Sequence, residues 1–166
     1  MNPTAPSFLS APRLLGAAAL LSLAAVGAAL VTQHAFGMLP CPWCILQRLI
    51  FLLIAAVCGL ALAWRAPLPR ALLAGLGTLL ALGGLAAALY QNRVASQSSS
   101  CALTLADRIV GALGLESAVP FVFRIEASCA DAAVDLFGLP YEAWSGALYL
   151  LLALACSAAA VRALKR

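Results

Sequence analysis

Six cysteines stand in this chain of 166 residues, and two of them have a spacing that does chemistry. Cys41-Pro42-Trp43-Cys44 is a CxxC, preceded by Pro40. Two thiols so spaced close a small, reducible disulfide, and such motifs lower the pKa of one thiol. Arg48 follows at helical spacing, so in a helix Cys41, Cys44 and Arg48 share one face. A guanidinium there is a fixed positive charge for an anion that forms at Cys44. Cys101 and Cys129 make a second candidate pair. A plain structural disulfide is the other reading of either pair. Zinc held by four thiolates is disfavoured, because only one pair is a CxxC and no His lies within either pair. A c-type haem needs His after the second Cys, where Ile45 stands. No metal is expected.

The elements that must position these residues follow from composition. Hydrophobic residues make up 64% and charged residues 10%, with a mean hydropathy of +1.03. A soluble domain is nearer one half apolar and one quarter charged. These values exclude a soluble globular protein and a disordered one. The net charge of +4 comes from scattered residues, so no nucleic-acid partner is expected. The medium is a lipid bilayer. A spanning helix needs roughly 20 apolar residues, and residues 14–31, 45–64, 71–90 and 144–161 qualify or nearly do. The expectation is an all-α, four-transmembrane-helix bundle forming a single integral-membrane domain over 1–166. Its outer loops are a short one, 32–44, and a long one, 91–142. A tight turn with Pro67 and Pro69 makes spans two and three antiparallel neighbours. A signal peptide ending near Val26-Gly27-Ala28 competes for the first apolar run, but that run is long for one.

Charge orients the bundle. Arg13, Arg65, Arg70, Arg162, Lys165 and Arg166 fall on one side. All six acids, Asp107, Glu116, Glu126, Asp131, Asp135 and Glu142, fall in the long loop. The excess of basic residues places both termini in the cytoplasm and both loops outside. Cys41, Cys44, Cys101 and Cys129 then lie on the oxidising side, which supports disulfide chemistry. Cys58 and Cys156 lie mid-span and read as small apolar packing residues, not bonded to each other.

Within the long loop, Thr104 and Asp107 mark a helix start, followed by an apolar stripe of Leu105, Ile109, Ala112 and Leu113. Ser128 and Asp131 mark a second helix, stopped by Gly138 and Pro140, with Cys129 in its first turn. The polar tract 95–100 precedes Cys101. The apolar run 118–123 suits either the membrane surface or the core of a folded loop. Gln33 and Gln47 add polar groups near Arg48. His34 reads as a polar anchor or a proton carrier.

Taken together, Gln33-His34, Pro40-Cys41-Pro42-Trp43-Cys44-Ile45 and Gln47-Arg48 resemble the signature of the disulfide-bond-formation protein B (DsbB) family. The similarity extends over the whole chain, with four spans, a short and a long periplasmic loop, and a cysteine pair in each. The resemblance implies disulfides Cys41–Cys44 and Cys101–Cys129 in an enzyme of the bacterial inner membrane. It implies that the thiol of a reduced DsbA-like periplasmic thiol oxidase attacks Cys101, that Cys129 passes electrons to Cys41, and that Cys44 faces a membrane quinone, ubiquinone or menaquinone, beside Arg48. It implies exchange with the membrane quinone pool and support of disulfide formation in secreted proteins. One departure stands out: family members often carry a His where span three meets the long loop, and Tyr90-Gln91-Asn92-Arg93 has none. Arg93 is the basic residue nearest that place.

Two other functions compete. A vitamin K epoxide reductase-like enzyme also links a CxxC to a loop pair, but there the loop pair comes first in sequence, whereas here Cys41 and Cys44 do. A non-enzymatic membrane subunit with structural disulfides is the second. A transporter is disfavoured, because spans one, three and four carry no internal charge.

Overall fold

The computed structural model describes residues 10–95 and 104–165. Four helices in it are long and apolar enough to cross a membrane: α1 (Ala11–Phe36), α2 (Pro42–Ala63), α3 (Pro67–Arg93) and, last in the chain, α7 (Tyr141–Leu164). The long loop carries α4 (Leu105–Ala112), α5 (Leu115–Ala118) and α6 (Pro120–Phe123), then a hairpin of β1 (Asp135–Leu136) and β2 (Leu139–Pro140). The chain is an all-α, four-helix membrane protein, as its hydropathy predicts.

Proline sets where three of the long helices begin. Each of α1, α2 and α3 has Pro in its first turn, where the missing N–H costs nothing and the fixed φ suits a helix. Helix α2 therefore starts at Pro42, earlier than the expected residue 45, and takes in most of the CxxC. Helix α1 runs on past residue 31 and ends at Gly37, whose φ of 65 few other residues adopt.

Small residues set the packing. Ala18, Ala61, Ala74, Ala81 and Ala159 are buried with Leu15, Ile54 and Leu152 along the bundle axis. Helices in lipid gain little from apolar burial, so close approach over small residues holds them together. Helices α3 and α7 make the most extensive contact. At its centre Gly84 faces Tyr149, and a Cβ at Gly84 would overlap the tyrosine ring. Tyr149 stacks on Phe51 at 4.1 Å and donates to the carbonyl of Gln47 at 2.8 Å, joining α7 to α2. Cys58 and Cys156 also meet here, sulfur to sulfur at 3.7 Å, over Gly77. Both are free thiols, fully buried among apolar neighbours.

Two expectations about the long loop need correction. Helix α4 forms with its full capping box, Asp107 N–H donating to Thr104 Oγ1 and Thr104 N–H to Asp107 Oδ2. Its buried residues, however, are Ala106 and Val110, while Leu105 and Leu113 are exposed. The helix is turned by about one residue because it packs on the outer end of α2, with Ala106 and Ile109 against the cluster of Trp43 and Val110 against Ile45 and Phe123. The second expected helix does not form. Ser128 and Asp131 make their cap hydrogen bonds, yet the chain only turns over 129–132 and then enters the hairpin. Residues 135–140, which would carry that helix on, are drawn into the hairpin, Asp135 pairing with Pro140 and Leu136 with Leu139. Tyr141 N–H instead closes back on the Val134 carbonyl at 2.9 Å.

The apolar run before it is divided. Phe123 is buried with Ile45 and Val110, whereas Phe121 is exposed and stacks on His34 at 4.3 Å.

Candidate active site at the outer end of α2

The first turn of α2 organises the sulfurs. Cys41 is the N-cap, and its Sγ accepts the N–H of Cys44 at 3.3 Å, so a sulfur takes the place of the usual capping oxygen. The sulfurs of Cys41 and Cys44 lie 2.8 Å apart. Cys129 arrives from the long loop and packs with Cys41 and Trp43. It accepts hydrogen bonds from the Cys41 thiol and the Trp43 backbone N–H, which together hold its thiol below the ordinary range against the opposing effect of burial. Cys129 and Cys44 both lie against the Cys41 thiol and push it upward, burial adding to them, and its one proton serves one of these sulfurs at a time. The helix N-terminus that serves Cys129 is thus that of α2, not one of its own as the sequence suggested.

A clamp from the long loop brings Cys129 there. The carbonyl of Pro40 accepts the N–H groups of Glu126 and Ala127 at 3.0 and 3.3 Å. Gln33 Nε2 donates to the Glu126 carboxylate at 3.0 Å. Arg48 completes it: Nη1 donates to Gln33 Oε1 at 2.6 Å and to the Val122 carbonyl at 2.9 Å, and Nη2 to the Ala29 carbonyl at 3.3 Å. Arg48 is only 5% exposed, so it does not reach outward to the headgroups. Its Nε is buried without a partner among the described residues.

Cys44 faces the other way, into a cavity of about 310 Å³ lined by α1, α2, α3, α7 and the hairpin. Arg48, Gln47, Gln91 and Glu142 share that lining. Cys41 is not part of it, so the expected common face of Cys41, Cys44 and Arg48 is divided: Cys41 turns to the loop, Cys44 and Arg48 to the cavity. Gln91 Nε2 donates to Cys44 Sγ at 3.3 Å, and Gln47 Nε2 fixes Gln91 by donating to its Oε1 at 2.7 Å. His34 bonds the Phe121 carbonyl at 3.2 Å and acts as an anchor for the loop; neither it nor Arg93 lines the cavity. Cys101 lies outside the described residues, as do most of the polar tract before it and Arg166.

Gln91, Glu142 and the Trp43 amide were not singled out from sequence. Gln91 and Glu142 stand next to span ends, where polar residues are ordinary. Only their burial, 4% exposed in each case, marks them as part of a site.

A helix bundle of membrane-spanning length, with a thiol pair at one helix start, a third sulfur packed against that pair and a cavity beside it, defines a membrane thiol oxidoreductase. Residues 11–159 match the family model for "Disulfide bond formation protein DsbB", and the chain belongs to that family. It is similar to Disulfide bond formation protein B of Cupriavidus metallidurans, 35% identical over 87% of this chain and 89% of that protein. It is equally similar to Disulfide bond formation protein B 1 of Pseudomonas savastanoi pv. phaseolicola, 35% identical over 90% and 89%. Disulfide bond formation protein B of Herminiimonas arsenicoxydans is 30% identical over 85% of this chain and 89% of that protein. No solved structure matches the chain at a significant level. The protein is therefore a multi-pass inner-membrane protein of disulfide bond formation.

Proposed function

We propose that this protein oxidises a DsbA-like periplasmic thiol oxidase by disulfide exchange and delivers the electrons to a membrane quinone. The observation that carries this reading is the place of Cys41, which packs with Cys129 on one side and has its sulfur 2.8 Å from that of Cys44 on the other. Sulfur exchange needs a thiolate in line with a disulfide, and this arrangement offers one continuous route from loop to cavity. Both termini and the α2–α3 turn face the cytoplasm, as the basic residues direct.

The lining of the cavity suits a quinone. The buried Arg48 Nε, without a partner among the described residues, is a hydrogen-bond donor for a carbonyl oxygen, and Phe51, Leu136, Phe137, Trp144 and Leu148 supply apolar surface. A bound quinone would supply an acceptor for two electrons and two protons. Arg48, Gln47 and Gln91 would hold it beside Cys44.

The residues then divide the work. Starting from disulfides Cys101–Cys129 and Cys41–Cys44, the partner's thiolate attacks Cys101, and Cys129 leaves as a thiolate. The Trp43 backbone N–H bonded to Cys129 steadies that thiolate as it leaves. Cys129 attacks Cys41, and Cys44 leaves as a thiolate into the hydrogen bond from Gln91 and the field of Arg48. The partner's second thiol releases it, oxidised, from Cys101. Cys101 then takes Cys129 back, which frees Cys41. Cys41 and Cys44 give up two electrons as their bond re-forms.

Purified protein mixed with a reduced DsbA-like protein and a short-chain ubiquinone tests this. Quinone absorbance should fall as partner disulfide appears, one for one, and Cys41→Ser should abolish both. Partner oxidation that continues without quinone and without oxygen would refute the reading.

A further inference from the structure

Strands β1 and β2 are joined by Phe137 and Gly138, both at positive φ, 55 and 78. A two-residue turn of this kind favours Asn-Gly or Gly-Gly, because a Cβ there crowds the following carbonyl. Phe137 is the only non-glycine residue with positive φ among the described residues. The residue is also 88% exposed, so burial in the fold does not hold it there.

What the ring does touch is the cavity mouth. Phe137 lines the cavity with Leu136 and Trp144. It meets Trp144 edge to face at 6.3 Å, and Trp144 Nε1 donates to the Leu136 carbonyl at 3.1 Å, which fastens the hairpin to α7. The cavity lies between α1 and α7, with exposed Ala28 and Trp144 at its borders. In a bilayer those borders meet hydrocarbon. The groups that hydrogen-bond Cys44 come from α2 and α3, whereas the hairpin and Trp144 offer only aromatic and aliphatic surface. A ligand with a polar ring and an apolar chain matches this division.

We propose that Phe137 is a specificity residue for the apolar tail of the cavity's ligand, its ring held by the hairpin across the lipid-side mouth to pack on a quinone's isoprenoid or alkyl chain. This rests on the quinone reading above. It accounts for an aromatic residue at a backbone conformation where glycine would be easier.

Phe137→Gly separates the ring from the turn, because glycine adopts the same φ without strain. Dithiol-driven reduction is measured with decylubiquinone and with a ubiquinone bearing a single isoprene unit. For Phe137→Gly, KM for decylubiquinone should rise about tenfold, ~1.4 kcal/mol, with kcat unchanged, while KM for the short quinone stays within about twofold. Phe137→Leu should recover part of the loss. Without any turnover, decylubiquinone should raise the melting temperature of the oxidised wild type more than that of Phe137→Gly, and the variant alone should melt no lower than wild type. Equal KM changes for both quinones, or none, would overturn the proposal and leave Phe137 a bilayer anchor. A wild type that reduces neither quinone and gains no stability from either would instead remove the quinone reading, and this inference with it.

Discussion

At the scale of single residues, the sulfurs differ because their hydrogen-bond partners differ. Cys129 receives two donors, and Cys41 is one of them. Removing that donor should raise the Cys129 pKa, because the thiolate loses more than the thiol does. In fully reduced protein, alkylation of Cys129 should therefore reach half-maximal rate at a lower pH than an ordinary thiol, and Cys41→Ala should move that midpoint upward. Mass spectrometry across a pH series reads it, and an unmoved midpoint would break the link between the two sulfurs. Arg48 carries two duties, one to the cavity and one to the clamp. Arg48→Lys keeps the charge but not the planar fork that reaches Gln33, Val122 and Ala29 together. Charge-assisted hydrogen bonds contribute about 1.5–3 kcal/mol each. Quinone KM should rise for Lys and rise further, on the order of 10–100-fold, for Ala. Unchanged kinetics in Arg48→Ala would leave it a structural residue alone. The CxxC and Arg48 were legible in the sequence because residue type and spacing suffice to recognise them. Gln91 was not, because an amide acquires meaning only from the sulfur it faces.

The elements were legible in proportion to their length. Continuous apolar runs located all four long helices, and the proline-led starts account for the shifted boundaries. Between residues 104 and 140 the local signals were real but insufficient. The Ser128–Asp131 cap forms without a helix behind it, and the α4 stripe was misjudged because the partner surface, not the periodicity, chose its buried face. The contact of α3 with α7 hides a requirement that hydropathy cannot show. Gly84→Ala introduces a Cβ into space held by Tyr149, and that ring is fixed by Phe51 and by the Gln47 carbonyl. Overpacking of this kind costs about 1–3 kcal/mol. A clear fall in melting temperature in detergent or bilayer discs is expected for Gly84→Ala. Gly83→Ala, where no atom lies within 4 Å of the new Cβ, should show none. Equal behaviour of the two variants would argue against the close packing.

For the whole molecule, function divides along the axis normal to the membrane. In the proposed function the protein partner meets the loop, the lipid-soluble acceptor meets the cavity, and Cys41 stands between them. The two halves should be separable. Cys101→Ser should lose oxidation of the protein partner while small dithiols still reduce quinone through Cys41 and Cys44. Stopped-flow quinone absorbance with both donors checks it, and loss of both activities would reverse the proposed order. The four-helix architecture followed from hydropathy. The direct approach of Cys129 to Cys41 did not, since only the folded clamp between the loop and Pro40 creates it.

That clamp has a consequence for the birth of the protein. Arg48 and Val122 are 74 residues apart in the chain. At about 5–20 residues per second of synthesis, the arginine exists for roughly 4–15 s before its last partner is made. Throughout that interval a charge must lodge in the nascent membrane helix. Gln33 and Ala29, both translated earlier, are the groups available to shelter it. The first helix therefore escorts the second into the bilayer, and the redox centre inherits its geometry from the order in which the ribosome delivers its parts.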